Sequence, residues 1–188
     1  MKIFKINILT FLVTSLFSLS IFAGGTLRLD EVAVGEADPA KATDFADGII
    51  MENVYDALVT EPQGGGPVIG KLAKEWEVSN NGTTITFHLN ENVKFSSGNE
   101  MTADDVVYSD ERLMGLKLGW SYLFDGWVKG IKKIDSHKIQ FELSEPYAPF
   151  MSSLVRFYIV DSETIKANEN DGDWGKEYLL SNSAGTGA

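Results

Sequence analysis

Asn80-Asn81-Gly82 commits this chain to antiparallel sheet. Asn-Gly is the strongest short-range hairpin signal, because both residues tolerate positive φ. The residues that follow, Thr84-Ile85-Thr86-Phe87-His88-Leu89, alternate polar and apolar without a break. A period of two sets Ile85, Phe87 and Leu89 on one buried face of a strand. Trp76 and Val78 belong to the strand before the turn. A second hairpin is predicted with Ile131 and Ile134 in its first arm and Ile139, Phe141 and Leu143 in its second, turning through Asp135-Ser136-His137-Lys138.

Helices are expected beside these hairpins. Thr102-Ala103-Asp104-Asp105 reads as a capping box, with Asp105 where Glu or Gln is usual. Val106, Val107, Ser109, Leu113 and Met114 form the packing stripe behind it. An earlier helix is predicted from Asp44, capped by Thr43, with Asp44 and Asp47 suiting its positive end. Ala46, Ile50, Val54 and Ala57/Leu58 fall on one face at helical spacing. Residues 26–32 read as a strand and 34–42 as a loop. Gln63-Gly64-Gly65-Gly66-Pro67 breaks regular structure. Val93-Lys94-Phe95 is a short extension before a turn at Ser96-Ser97-Gly98-Asn99. Pro146 and Pro149 open a short helix to about Arg156. Residues 157–160 are expected as a strand, 162–168 as a helix and 173–180 as one or two helical turns. The total has an α+β flavour.

Charge and composition exclude whole classes of function. Against 16 Lys+Arg stand 27 Asp+Glu, a net charge of −11. So acidic a surface disfavours nucleic acid and anionic lipid, both polyanions. Cysteine is absent, which removes disulfides, thiolate metal sites, cysteine nucleophiles and lipidated anchors. Lys2 and Lys5 precede an uncharged run from Ile6 to Phe22 that ends in Ala23-Gly24-Gly25. That pattern describes a cleavable secretory signal peptide over residues 1–23, and an uncleaved membrane anchor is the competing reading. Without a cysteine after the run, the exported chain is not a lipoprotein.

Catalytic signals are weak. His88 and His137 are the only histidines, and both read as surface residues. No G-x-S-x-G elbow marks a serine, and no histidine pair has metal-ligand spacing. Asp104-Asp105 is explained by helix-start chemistry, and the glycine run lacks the Lys-Ser/Thr of a phosphate loop. An enzyme is not expected, and no metal or cofactor is implied. The class that competes with a binding protein is a secreted hydrolase with a paired-carboxylate site. Trp120, Tyr122, Phe124 and Trp127 cluster in a connector over residues 115–129. They suit either a ligand-binding wall or packing of the connector onto the sheet.

Several segments, in order, resemble the family 5 extracellular solute-binding proteins. These are the periplasmic peptide, dipeptide and nickel receptors of ABC importers. The resemblance runs through Asp38-Pro39-Ala40, residues 53–59 and 72–79, and Asn81-Gly82-Thr83 through Leu89. It continues through residues 92–98, Met101 to Ser109, residues 134–146 and Gly185-Thr186-Gly187. Asn81 stands where the family commonly has Asp, and either makes the same turn.

The resemblance implies an α/β chain, α+β in its smaller domain, within a periplasmic-binding-protein-like two-lobe fold of type II. Only the first lobe is represented. Residues 24–62 would begin the ligand-proximal α/β domain, 63–182 would form the smaller domain, and 183–188 would return into the first. The implied partners are a peptide or other small solute and ABC transporter permease subunits, with the membrane met only through the permease complex and a monomer expected. A solute-binding module used for signalling is a further reading. Carried over by position, the loop Val32, Ala33, Val34 and Gly35 approaches the ligand, and Trp120 and Tyr122 reach the cleft. Structural packing is the alternative role for all six.

Overall fold

Residues 37–187 are described by a computed structural model. The segment expected as a signal peptide, the strand expected at 26–32 and the loop residues Val32, Ala33, Val34 and Gly35 lie outside the described residues. The elements run α1 (Phe45–Val54), β1 (Val59–Thr60), β2 (Ile69–Gly70), β3 (Ala73–Ser79) and β4 (Thr84–Leu89). They continue with α2 (Ala103–Leu116), β5 (Val128–Asp135), β6 (Lys138–Leu143), α3 (Phe150–Ser153), α4 (Ser162–Ala167) and α5 (Lys176–Leu179). Short 3-10 turns lie at Asn80–Gly82, Gly119–Leu123 and Leu154–Arg156.

Both hairpins form, and they merge into one antiparallel sheet ordered β3-β4-β6-β5. The turn of the first is one residue longer than the Asn-Asn-Gly signal, because Ser79 pairs with Thr84 across residues 80–83. Asn80, Asn81 and Gly82 all take positive φ. The second hairpin closes with Asp135 opposite Lys138. Ile85, Phe87 and Leu89 are buried as the alternation required, beside Ile139, Phe141 and Leu143 of β6. Ile85 lies opposite Phe141, and Phe87 opposite Ile139. Two expected strand residues stay in solvent. Val78 is 58% exposed on the edge strand β3, and Ile134 is 51% exposed because an odd spacing from Ile131 turns it to the other face.

The capping box at Thr102 is present, with the Thr102 backbone N–H donating to Asp105 Oδ2 at 2.8 Å. Asp105 does more than cap. Its Oδ1 accepts from the Ser162 backbone N–H (3.0 Å) and hydroxyl (2.7 Å), which joins the start of α2 to the start of α4. Helix α1 is capped by Asp44 and not by Thr43, for the Asp44 carboxylate accepts the Asp47 N–H at 2.9 Å. It ends at Val54, so Ala57 and Leu58 lie beyond the helix. The Val54 carbonyl accepts from Gly187 N–H at 3.0 Å. A Cβ on Gly185 would fall 2.0 Å from that carbonyl oxygen, so only glycine can pass there.

Residues 157–160 are buried but form no strand ladder. Tyr158 makes an isolated bridge to Ala57, while the Val160 N–H donates to Ser109 Oγ at 3.0 Å and the Asp161 N–H to the Ala184 carbonyl at 2.9 Å. The backbone groups a ladder would use are thus taken by other elements. Among the described residues the buried apolar side chains fall into two clusters. One is centred on the four-stranded sheet, and the other on Met51, Tyr55, Tyr108, Tyr158, Ile165 and Ala184.

Asp110 on α2 is a built-in weakness. Desolvation by burial, reinforced by the neighbouring Glu111 charge, pushes its carboxyl up to about 6. A folded-state value above the unfolded one means that ionised Asp110 destabilises the fold at neutral pH, and that protonation removes the penalty. Asp110→Asn is therefore expected to stabilise the chain at pH 7.5 by on the order of 1–2 kcal/mol. The gain should fade as pH falls from about 6 towards 4, where wild-type Asp110 is itself protonated. Urea titrations at the two pH values measure this, and a gain independent of pH would refute it.

Candidate functional site

Gly119 sets the position of the aromatic connector. Its φ is +53°, and a Cβ there would stand 2.6 Å from the Ala40 carbonyl oxygen. Glycine thus lets the 3-10 turn Gly119–Leu123 press against the segment that leads into α1. The four aromatics then diverge. Phe124 is buried and meets Phe157 edge-on at 5.6 Å, and Trp127 stacks on Tyr147 at 4.3 Å. Trp120 and Tyr122 lie 6.1 Å apart, with Tyr122 61% exposed. Packing therefore claims Phe124 and Trp127, whereas Tyr122 stands in solvent and lines neither of the cavities walled by Glu52 and Arg156.

Trp120 lines a cavity of about 330 Å³ with Thr43, Asp44, Gly48, Ile49, Glu52 and Arg156. Its indole Nε1 is buried and has no hydrogen-bond partner among the described residues. The Arg156 guanidinium lies over the Trp120 ring, 5.5 Å from its centroid, within cation–π range. Arg156 closes the last 3-10 turn after α3, and its Nη1 donates to Glu52 Oε1 (3.0 Å) and to the Tyr158 hydroxyl (3.3 Å). A second cavity of about 390 Å³ shares Glu52 and Arg156 and is walled by Asp56, Glu61, Lys71 and Tyr158. Burial raises the Tyr158 hydroxyl, and Arg156 opposes that shift. The Trp120 cavity is mainly apolar and its neighbour mainly polar, so the two together set aromatic walls beside a few charged groups, a combination suited to holding a small solute.

The two histidines lie away from these cavities. His88 sits 3.9 Å from Glu77 and His137 sits 3.6 Å from Glu100, all four beside the four-stranded sheet or its turns. Among the described residues no three His, Asp or Glu side chains converge to hold a metal ion. Arg156 and Glu52 escaped the sequence reading. The available signal was a lone cation in the mostly apolar stretch from Phe150 to Val160.

The profile of the bacterial extracellular solute-binding proteins, family 5 (middle region), matches residues 67–188. This chain belongs to that family. Among its curated relatives, the probable D,D-dipeptide-binding periplasmic protein DdpA of Escherichia coli K12 is 32% identical over 170 residues, covering 84% of this chain and 32% of DdpA. The dipeptide-binding protein of the same organism is 36% identical over 154 residues, covering 71% of this chain and 28% of its own length. The family 5 chain described here thus spans about a third of the relatives it matches. Among solved structures, DppA of Helicobacter pylori in complex with the peptide STSA superposes with a TM-score of 0.69 at 27% identity. That match covers 82% of this chain and 34% of DppA. The fold is part of a type II periplasmic binding protein, mixed α/β with two sheets among the described residues.

Proposed function

We propose that this chain is the N-terminal part of the periplasmic substrate-binding component of an ABC importer. It would capture oligopeptides or dipeptides, or a related small solute, and deliver them to a membrane permease. The observation that carries this reading is a pair of cavities that share Glu52 and Arg156, one mainly apolar and lined by Trp120, the other mainly polar, set in a chain whose family relatives are named for dipeptide binding. In this reading residues 1–23 direct export, 24–62 and 183–188 belong to the ligand-proximal domain, and 63–182 form the smaller one. Val32, Ala33, Val34, Gly35, Trp120 and Tyr122 face the solute. Closure of a second lobe over it draws on the ligand's higher affinity for the closed state, since no other term can shift that population.

The test is a thermal shift on the receptor that carries residues 1–188 at its N-terminus, against a panel of dipeptides and tripeptides with oligosaccharides alongside. A ligand at a hundred times its Kd adds about 2.7 kcal/mol to stability. A clear rise in Tm with peptides is expected, and a rise with oligosaccharides alone overturns the peptide assignment.

A further inference from the structure

The protein holds two Arg–carboxylate pairs of opposite character. Arg112 and Asp38 are both buried and bidentate, and the third guanidinium nitrogen of Arg112, Nε, donates to the Trp174 carbonyl. Arg156 and Glu52 touch through a single nitrogen, with the two side chains 34% and 62% exposed. Arg156 Nε and Nη2 have no partner among the described residues, and the indole N–H of Trp120, whose ring lies under the guanidinium, has none either. An exposed, single-point ion pair is worth about 0–1 kcal/mol and is easily exchanged. Arginine's planar fork favours a carboxylate held through two nitrogens, which Glu52 does not provide.

We propose that Arg156 and Trp120 form a carboxylate subsite, and that Glu52 occupies it as an internal stand-in while no ligand is present. This deepens the receptor reading and rests on it for the identity of the solute. Glu52 and Arg156 both belong to the walls of the two cavities. When Glu52 swings away on its exposed stem, the guanidinium keeps only the Tyr158 hydroxyl as a partner among the described residues and can take another carboxylate. Asp44, Asp56 and Glu61 also stand in the walls, with Lys71 as the other cation. A polyanion such as phosphate meets repulsion there. A zwitterion does not, because its ammonium end finds carboxylates while its carboxylate takes Arg156. The class selected is a monocarboxylate that also carries a positive charge, such as an amino acid or a peptide with a free C-terminus.

The experiment follows the indole N–H signals of the four tryptophans in the ¹⁵N-labelled 188-residue chain, with Trp120 assigned by its loss in Trp120→Phe. Sodium acetate is titrated at ionic strength held constant with sodium chloride, and acetamide serves as the uncharged isostere. The Trp120 signal is expected to move saturably with acetate and to ignore acetamide. Glu52→Gln should tighten the acetate midpoint about two- to fivefold, the factor that loss of an exposed competing pair allows. Arg156→Gln should abolish the response and Arg156→Lys should weaken it, with the other indole signals reporting that each variant is folded. An unmoved Trp120 signal, an equal response to acetamide, or a Glu52→Gln midpoint no tighter than wild type overturns the proposal. In the receptor, a peptide amide that binds as tightly as the free peptide overturns the subsite and leaves peptide capture standing. Absence of all peptide binding, with the acetate response intact, does the reverse.

Discussion

Arg112→Leu is expected to cost about 3–5 kcal/mol, the usual result of stranding one partner of a buried ion pair. Arg112 is 1% exposed, and its Nη1 and Nη2 each donate to a different Asp38 oxygen at 2.7 Å. Leucine would leave the Asp38 carboxylate in the interior with a single remaining donor among the described residues, the Ala40 N–H at 2.9 Å. It would also strand the Trp174 carbonyl, which accepts from Arg112 Nε at 2.8 Å. Three segments distant in the chain meet at this side chain, namely the run into α1, helix α2 and the turn before α5. Whole domains are stable by only about 5–15 kcal/mol, so the single change takes a large share. The double variant Arg112→Leu with Asp38→Leu should recover most of the loss, because removing both charges also removes the desolvation cost. Urea unfolding of the three proteins measures this. A single variant within about 1 kcal/mol of wild type would show that the pair is solvated in practice.

Arg112 also marks where reading the sequence fails. It follows Asp110-Glu111 on a helix and reads as one more solvated charge, yet its partner lies 74 residues away. What was legible is local. The alternation of β4 and the capping box of α2 depend on residues two or three apart, and both formed. Asp105 was seen as a cap, but its bond to Ser162, 57 residues on, was not. Residues 157–160 have strand-like composition and fail as a strand because Ser109 and Asp56 take the Val160 and Ile159 N–H groups and only an isolated bridge to Ala57 forms. At the candidate site Trp120 was legible as one of several aromatics without periodicity, while Tyr122 lines neither cavity. Arg156 and Glu52 were not, since their meaning comes from a contact across 104 residues. Polar pairing over such separations leaves no local pattern, whereas period and capping do.

The core has one aromatic hub whose loss should reach the site. Phe141 on β6 is 1% exposed and meets three rings edge-on: Phe87 at 5.7 Å, Phe150 at 5.2 Å and Phe157 at 5.9 Å. Edge-to-face pairs add about 0.5–1.5 kcal/mol each beyond burial of area, so the hub stabilises by geometry as well as by exclusion of water. Phe141→Ala is expected to cost about 3–5 kcal/mol, since the surrounding rings cannot all collapse into the space left. For a chain of this size that lowers Tm by on the order of 10 °C. Phe150 and Phe157 flank the turn that ends in Arg156. Loss of the hub should therefore loosen the guanidinium over Trp120 as well, and the Trp120 indole signal should broaden even below the melting transition. Phe141→Leu keeps most of the volume and separates the two effects: it should restore the greater part of Tm while losing the edge-on ring contacts. Full restoration of both Tm and the sharp indole signal by leucine would mean that the hub works through volume alone.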